Sequence, residues 1–392
     1  MTLLEHLARR TSTGRFIPEI DGLRFVSVAM VVLFHLHVYA WRSAPPGNPL
    51  RAWPLSLLEH GGYGVRFFFA ISGFILGLPF ALHYLRGRPV PRVRTYLLRR
   101  LTRLEPPYLL SLLLLFPVYL WSTGASAGSV LPHLLASMLY LHNAVYETGS
   151  IINGVTWSLE LEVQFYLLAP VLAWLFFRQP RAAVRRGVLA LVIAAGSVAS
   201  IWLIEMPYVR LALPAYLHFF LVGFLLADLY ATRWNSAPGR TPAWDLAWVA
   251  AWAGLLWVWG LSPAVSAIAT PPLVFVLYVA ALRGYWVRRA LAYPWVATIG
   301  GMCYTIYLLH VPVISAGGRV WRALAGPAST VPAFALQCAV MGAAILVVSG
   351  VYFVLVERPC MERDWPRRLA GRVRAWLPGA PRVATAGDAA GD

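Results

Sequence analysis

Long apolar runs alternate with short, arginine-rich segments along the whole chain. A helix of about 20 mostly apolar residues crosses the ~30 Å hydrocarbon core of a bilayer. Runs of this kind cover approximately residues 22–41, 63–84, 104–121, 155–177, 187–204, 211–231, 243–261, 264–282, 293–316 and 333–356. We therefore predict an all-α fold, a polytopic membrane helical bundle with about 10 transmembrane helices.

The connections between these runs predict how the chain is oriented. Arginine is concentrated in every second connection and in the C-terminal segment, at 85–103, 178–186, 232–242, 283–289 and 358–392. Because basic residues favour the cytoplasmic side, this bias predicts that both termini are cytoplasmic. A shorter apolar run, 131–143, is too brief to cross alone, and we expect a short re-entrant or interfacial segment there.

The composition excludes a soluble protein. Of 392 residues, 59% are hydrophobic and 12% are charged, and the mean hydropathy is +0.64. The formal net charge of +17 comes from arginines between apolar runs, so it indicates membrane topology and no nucleic-acid binding.

The cysteines have no metal-binding spacing, and we predict no metal site. We divide the chain into an integral-membrane domain, 1–357, and a basic, partly disordered cytoplasmic tail, 358–392, that contacts membrane lipids.

The first apolar run carries an arginine and a histidine eleven residues apart, Arg24 and His35. On a helix this spacing is roughly three turns, so both side chains share one face about 16 Å apart. Charged or ionisable groups inside a membrane helix are costly and usually face a functional interior. Two interpretations stay open for each residue. Arg24 is a phosphate ligand or a headgroup anchor, and His35 is a general base or a packed neutral side chain.

A pair of arginines precedes the third apolar run. Arg100 and Arg103 are three residues apart, which places them on one helix face. Guanidinium groups bind phosphate oxygens in a bidentate manner, so this pair suits a phosphate ligand. Ordinary positive-inside charge explains the same pair equally well.

Two carboxylates stand at the start of the fourth apolar run, in NGVTWSLELEVQFYLLAP. Glu160 and Glu162 are two residues apart, so on a regular helix only one of them is expected to face a site with His35. A carboxylate beside an imidazole orients the ring for the activation of a hydroxyl group. The alternative is that the two carboxylates cap the start of the helix at the membrane interface. Trp157 and Tyr166 flank the carboxylates and are candidate substrate-binding residues.

Two further segments carry candidate substrate-binding residues. The segment 61–76 is rich in glycine and contains Ser72, and its small residues allow close approach of another helix or of a ligand chain. The segment 300–312 places His310 on the same helix face as Tyr307. A packing histidine with satisfied hydrogen bonds is the alternative for His310.

Taken in chain order, these motifs resemble the acyltransferase type 3 family of bacterial integral-membrane acyltransferases. The resemblance covers nearly the whole chain and rests on IDGLRFVSVAMVVLFH, GVRFFFAISGFIL, RRLTRLEPPY, TWSLELEVQFYLLAP, CYTIYLLHVP and VERP. The family's conserved elements fall on Arg24 and His35, on Arg100 and Arg103 (RxxR), on Ser72, Gly73 and Phe74 (SGF), and on Trp157, Ser158 and Glu162 (WSLxxE). This chain has Arg66 where many relatives have an acidic or small residue.

The resemblance implies transfer of an acyl group, often acetyl, from cytoplasmic acyl-CoA to a hydroxyl group. The implied acceptors are carbohydrates, lipid-linked glycans or macrolide-type small molecules, and the implied location is the bacterial cytoplasmic (inner) membrane. The implied site has catalytic residues His35, Glu162 and Glu160, CoA-binding residues Arg24, Arg100 and Arg103, and substrate-binding residues Ser72, Trp157, Tyr166 and His310.

Two other classes of protein fit parts of the same pattern. Intramembrane histidine and glutamate are also typical of proton-coupled transporters, although the paired halves of many transporters are not evident in this sequence. A non-catalytic component that binds or assembles glycans is the third hypothesis. The co-occurrence of the paired arginines, His35 and the carboxylates favours the enzyme.

Overall fold

Helices make up the framework of the protein, and no strand occurs in the part of the chain that the structure describes. The structure is a computed structural model that describes residues 3–9, 16–234, 237–362 and 365. The α-helices are α1 (Leu3–Leu7), α2 (Pro18–Ser43), α3 (Gly64–Arg86), α4 (Val93–Thr123), α5 (Ala127–Met138), α6 (His142–Tyr146), α7 (Trp157–Phe177), α8 (Ala182–Leu203), α9 (Leu217–Thr232), α10 (Ala243–Trp259), α11 (Pro263–Arg283), α12 (Trp286–Leu291), α13 (Pro294–Gly301), α14 (Cys303–Ala325), α15 (Val331–Tyr352) and α16 (Arg358–Cys360).

Short segments of other helix types join these elements. Four 3₁₀ helices lie at Pro49–Arg51, Leu55–Tyr63, Gly154–Thr156 and Leu213–Ala215, and a π-helix, Phe353–Glu357, follows α15. The predicted all-α class is confirmed. The predicted tail, 358–392, lies outside the described residues except for its first turn and residue 365.

Seven helices in the described ranges are long and apolar enough to cross a membrane. They are α2, α3 together with the 3₁₀ helix before it, α4, α7, α8, α11, and α15 with its π-helix. The bent pair α13–α14 is an eighth if it counts as one span. α9 and α10 are apolar but only 16 and 17 residues long. Each of the predicted runs therefore contains a helix, but two of these are shorter than the ~20 residues that a straight crossing requires.

The short apolar run at 131–143 is divided between two helices. α5 ends at Met138, and Tyr140 has a left-handed backbone with a φ of 56° before α6 begins. Tyr108 of α4 stacks on Tyr140 with ring centroids 4.8 Å apart, which holds this turn against the bundle. The 12 residues of α5 are roughly 18 Å long, so α5 is too short to cross the membrane alone.

α3 and α9 make the most extensive contact between two described helices. Gly73 of α3 lies against the backbone of Phe220, and Gly223 of α9 lies against the backbone of Ala70. A methyl group at either glycine would overlap a carbonyl oxygen of the other helix. Small residues permit such close approach in membrane bundles. The glycine of the SGF motif therefore serves the packing of α3 on α9, and the preceding Ser72 faces α7 on the other side.

Glycines also hold the bent pair α13–α14 against α2. The two helices are bent by 71° relative to each other at the break between them. Gly300, near the end of α13, lies against the backbone of Asp21, where a Cβ atom would overlap the carbonyl oxygen. Gly22 likewise lies against the backbone of Leu291 in α12. These contacts bring the start of α14 beside the start of α2.

We expect Gly73→Ala to destabilise the protein, because the added methyl group forces α3 away from Phe220. Overpacking of this kind typically costs about 1–3 kcal/mol. The measurement is thermal unfolding of the purified protein in detergent micelles. Gly342→Ala in α15 is the matched control, since a Cβ atom there meets nothing within 4 Å. Equal unfolding temperatures for the two variants would contradict this account of the α3–α9 contact.

Candidate active site

A cavity of about 90 Å³ lies between α2, α3, α4, α7 and the bent pair α13–α14. Several of the predicted site residues line it together, namely Arg24, Ser72, Arg100, Arg103, Glu162 and Tyr166. Most of the remaining wall is apolar or aromatic, including Phe68, Phe69, Tyr304 and Tyr307. An apolar cavity with a few convergent polar groups is typical of a small-molecule site. In the described ranges, no three His, Cys, Asp or Glu side chains come together as metal ligands would.

Arg24 is held at the cavity by a buried carboxylate one turn earlier in α2. Its guanidinium donates to Asp21 at 2.6 Å, and the Asp21 side chain has no exposed surface. Arg9, which follows α1, forms a second ion pair with Asp21 at 2.8 Å. Burial, together with the charge of Arg24, lowers the pKa of the Arg9 guanidinium to about 9. The N-terminal segment thus contributes a fourth arginine beside the cavity.

Arg103 has a buried counter-ion in the π-helix. Its guanidinium lies 3.6 Å from the carboxylate of Glu357, whose side chain is fully buried. Thr305 of α14 donates to the other oxygen of Glu357 at 2.5 Å. These contacts join α4, α14 and the π-helix at one end of the cavity.

Arg100 differs from the other arginines of the cavity. No described residue forms a hydrogen bond or ion pair with it, and the charged side chains of Arg24 and Arg103 line the same cavity. The rigid, planar guanidinium group of Arg100 therefore lines the cavity without a hydrogen-bond partner from the described chain. Such a group is suited to an anionic ligand.

The two carboxylates of α7 point in different directions. Glu162 lines the cavity, where it accepts hydrogen bonds from Ser72 at 2.8 Å and from Tyr166 at 2.7 Å. Glu160 is buried on another side of α7 and accepts a hydrogen bond from the backbone N–H of Asn143 at 2.9 Å. Glu160 is not part of the cavity wall.

A hydrogen-bonded pair from α7 and α14 forms the end of the cavity that lies beside His310. The Tyr307 hydroxyl donates to the carbonyl oxygen of Val155 at 2.7 Å, so the Ser158 hydroxyl, also 2.7 Å away, donates to Tyr307. Phe68 of α3 packs edge-on against Tyr307. Trp157, at the start of α7, lies outside the cavity wall and packs against Phe69, which does line it.

His35 and His310 lie beyond this end and contact each other. The Nδ1 atom of His35 is 3.2 Å from the Nε2 atom of His310, which is fully buried one turn after Tyr307. Neither imidazole lines the cavity. The expected contact of His35 with a glutamate is not formed. His310 occupies the position beside the ring, and both oxygens of Glu162 are bonded to Ser72 and Tyr166.

The sequence interpretation missed the two carboxylates that hold the arginines, Asp21 and Glu357, and the further arginine, Arg9. Asp21 and Glu357 stand at the ends of apolar helices, so the rarity of carboxylates beside membrane spans was the available signal. The pairing of Asp21 with Arg24 follows from their i, i+3 spacing, but the partner of Glu357 was not predictable. Glu357 meets an arginine more than 250 positions earlier in the chain, and only the packing of α4 against the π-helix brings them together.

Asp21→Asn is expected to destabilise the protein by about 3–5 kcal/mol, because it leaves two largely buried arginines without a counter-charge. The free energy of unfolding, measured by denaturant titration in micelles, tests this expectation. Glu59→Gln makes the same chemical change at an exposed carboxylate and is the control. An Asp21→Asn variant as stable as the control would show that the ion pairs with Arg9 and Arg24 do not hold this end of the bundle.

The chain is similar in sequence to known acyltransferases. The sequence profile of one family, described as an acyltransferase domain, matches residues 17–353. Nodulation protein 10 of Rhizobium leguminosarum bv. viciae is 27% identical over 377 residues, which cover 87% of this chain and 92% of that protein. O-acetyltransferase OatA of Staphylococcus aureus (strain NCTC 8325 / PS 47) is 24% identical over 327 residues, or 76% of this chain. The match covers 51% of OatA, so it spans about half of that protein. No solved structure matches this chain.

The family match extends from the start of α2 into the π-helix and includes every residue of the cavity wall. It favours an enzyme over the proton-coupled transporter and over the non-catalytic glycan-binding component. The long apolar helices agree with the membrane location that the motifs imply. The chain belongs to the acyltransferase type 3 family and is a multi-pass membrane O-acyltransferase.

Proposed function

We propose that this protein transfers an acyl group from cytoplasmic acyl-CoA to a hydroxyl group of a carbohydrate, glycolipid or macrolide-type acceptor. In the main reaction the transferred group is acetyl. The observation that carries the donor assignment is the cluster of three guanidinium groups in one cavity, Arg24, Arg100 and Arg103. The name of one relative, an O-acetyltransferase, supports acetyl as the transferred group. The proposed location is the bacterial cytoplasmic (inner) membrane, with both termini in the cytoplasm.

The charges of the cavity favour the phosphates of CoA at the arginine end. Arg24 and Arg103 retain counter-ions in Asp21 and Glu357, whereas Arg100 has none among the described residues. A phosphate group provides the bidentate acceptor oxygens that a guanidinium fork matches. This end also adjoins the arginine-rich connection before α4, which the positive-inside rule assigns to the cytoplasm. The donor therefore enters from the side on which acyl-CoA is made.

His35 is the proposed general base. It lies roughly 16 Å along α2 from Arg24, so a pantetheine arm that extends from the arginine end past Tyr307 brings the thioester toward it. The acceptor oxygen attacks the thioester carbonyl carbon while the hydroxyl proton passes to the imidazole. The carbon–sulfur bond then breaks, and the departing sulfur takes this proton. The products are the acyl ester and the free thiol of CoA.

Glu162 is the proposed catalytic carboxylate, in preference to Glu160, because only Glu162 lines the cavity. Ser72 and Tyr166 donate to its two oxygens and hold the group in one position. The three side chains together are proposed to orient the substrates in the middle of the cavity. Glu160 is assigned a structural contact with the backbone of α6.

Trp157 is the proposed aromatic contact for the acceptor. It packs against Phe69 of the cavity wall and lies 5.4 Å from the ring of Tyr216, so an aromatic surface continues outward from the cavity. Aromatic rings present a rigid apolar face at low conformational cost, which suits a ring-shaped acceptor such as a sugar.

His35→Ala is expected to lower acyl transfer by about 100-fold or more, the usual contribution of a general base. The experiment compares a deletion strain complemented with wild type or with His35→Ala. Mass spectrometry of surface glycans and secreted metabolites follows the loss of one acyl mass. Restoration by wild type alone supports the proposed base and identifies the acceptor. Equal restoration by the two genes, at equal membrane abundance, would remove His35 from the mechanism.

Arg100→Ala is expected to raise the KM for acetyl-CoA about tenfold or more, because a hydrogen bond to a charged group is lost. The KM for acetyl-pantetheine, which lacks the nucleotide phosphates, is expected to change little. Arg99→Ala removes an exposed neighbouring arginine and is the control. An equal rise of the KM for both donors would place Arg100 away from the phosphates.

A further inference from the structure

The two imidazoles at the end of the cavity come from different helices and share one hydrogen bond. The Nδ1 atom of His35 in α2 and the Nε2 atom of His310 in α14 are 3.2 Å apart, and the ring centroids are 4.9 Å apart at 68°. His310 has no exposed surface, and it does not line the cavity. It therefore contacts the proposed base without facing the substrates.

The backbone of α14 determines which nitrogen of His310 carries a proton. The Nδ1 atom of His310 lies 2.8 Å from the carbonyl oxygen of Tyr307 and 3.1 Å from that of Ile306. A carbonyl oxygen can only accept a hydrogen bond, so Nδ1 must be the donor. In the neutral ring the Nε2 atom of His310 then has a lone pair, and this lone pair faces His35.

The same reasoning applies to His35. Its Nδ1 atom lies 2.9 Å from the carbonyl oxygen of Val31 and 3.2 Å from the Nε2 atom of His310. Both neighbours are acceptors, so the proton of neutral His35 must be on Nδ1 and is shared between them. Val31 is four residues before His35, and its oxygen also accepts the helical N–H bond. His310 is thus the acceptor that serves the His35 ring alone.

We propose that His310 is a positioning residue that holds His35 in the Nδ1–H tautomer, so that the Nε2 atom of His35 is the base. This inference rests on the proposed function, in which His35 takes the proton of the acceptor. The proton passes from the acceptor oxygen to Nε2 as the oxygen attacks the thioester. The resulting imidazolium keeps its Nδ1–H bond to His310, and Nε2 returns the proton to the sulfur when the carbon–sulfur bond breaks. An imidazole held in the wrong tautomer cannot act as the base.

The first test replaces His310 in two ways. Gln can accept from His35 through its amide oxygen and donate to the Tyr307 carbonyl through its amide nitrogen, whereas Phe fills the space without either bond. We expect His310→Phe to lower kcat about 10- to 100-fold with little change in the KM for acetyl-CoA, and His310→Gln to retain most of the activity. His37→Phe, at a buried histidine of α2 that bonds the Leu50 carbonyl, measures the effect of ring replacement on packing.

The second test measures the tautomer of His35 directly. Protein with ring ¹⁵N- and ¹³C-labelled histidine is studied by solid-state NMR in lipid nanodiscs, and His35 is assigned by the signal lost in His35→Ala. We expect neutral His35 to show both tautomers in His310→Phe, where only the Val31 carbonyl still accepts from Nδ1, and the Nδ1–H tautomer alone in the wild type. The Nε2–H tautomer in the wild type would overturn the inference, as would an unchanged Nδ1–H tautomer in His310→Phe or a fully active His310→Phe alongside an inactive His35→Ala. A fully active His35→Ala would instead overturn the proposed base, whatever tautomer the NMR spectra show.

Discussion

A guanidinium group that leaves water for a membrane protein's interior needs a counter-charge close by, and this requirement organises one end of the bundle. Asp21 binds Arg24 and Arg9, and Glu357 binds Arg103. These ion pairs tie the N-terminal segment, α2, α4 and the π-helix together. The arginines are therefore held with their donors toward the cavity before any ligand binds. The cost of ordering several long side chains is met during folding, which leaves more of the binding energy for the donor.

The functional side chains are distributed along the cavity because different helices supply them. The arginine end belongs to α2 and α4, the carboxylate and hydroxyl groups in the middle belong to α3 and α7, and the imidazoles at the far end belong to α2 and α14. Two close helix contacts keep these side chains in position relative to one another. Gly73 lets α3 pack closely on α9, and Gly300 lets α13 pack closely on α2. Substitutions at these glycines would move reacting groups although they touch no substrate.

Local spacing predicted several features of the site correctly in geometric terms. Arg100 and Arg103 lie on one face of α4 and reach the same cavity, as their i, i+3 spacing requires. The i, i+2 spacing sends Glu160 and Glu162 to different sides of α7. Two interpretations of His310 were open, a substrate contact and a packing histidine, and the structure places its ring against His35. Nothing local in the segment 300–312 specifies that partner, because the partner lies 275 positions away.

The sequence by itself determined the class of the protein. Apolar runs of membrane length require helices, since backbone polar groups have no water to bond in a bilayer, and the motif order identified the family. Only the tertiary structure decided which groups meet. It paired Asp21 with Arg9 and Glu357 with Arg103, placed Glu162 beside Ser72 instead of His35, and set His310 against His35. The reason is physical: periodicity defines the face on which a side chain lies, whereas its partner depends on which helices pack together and at what height.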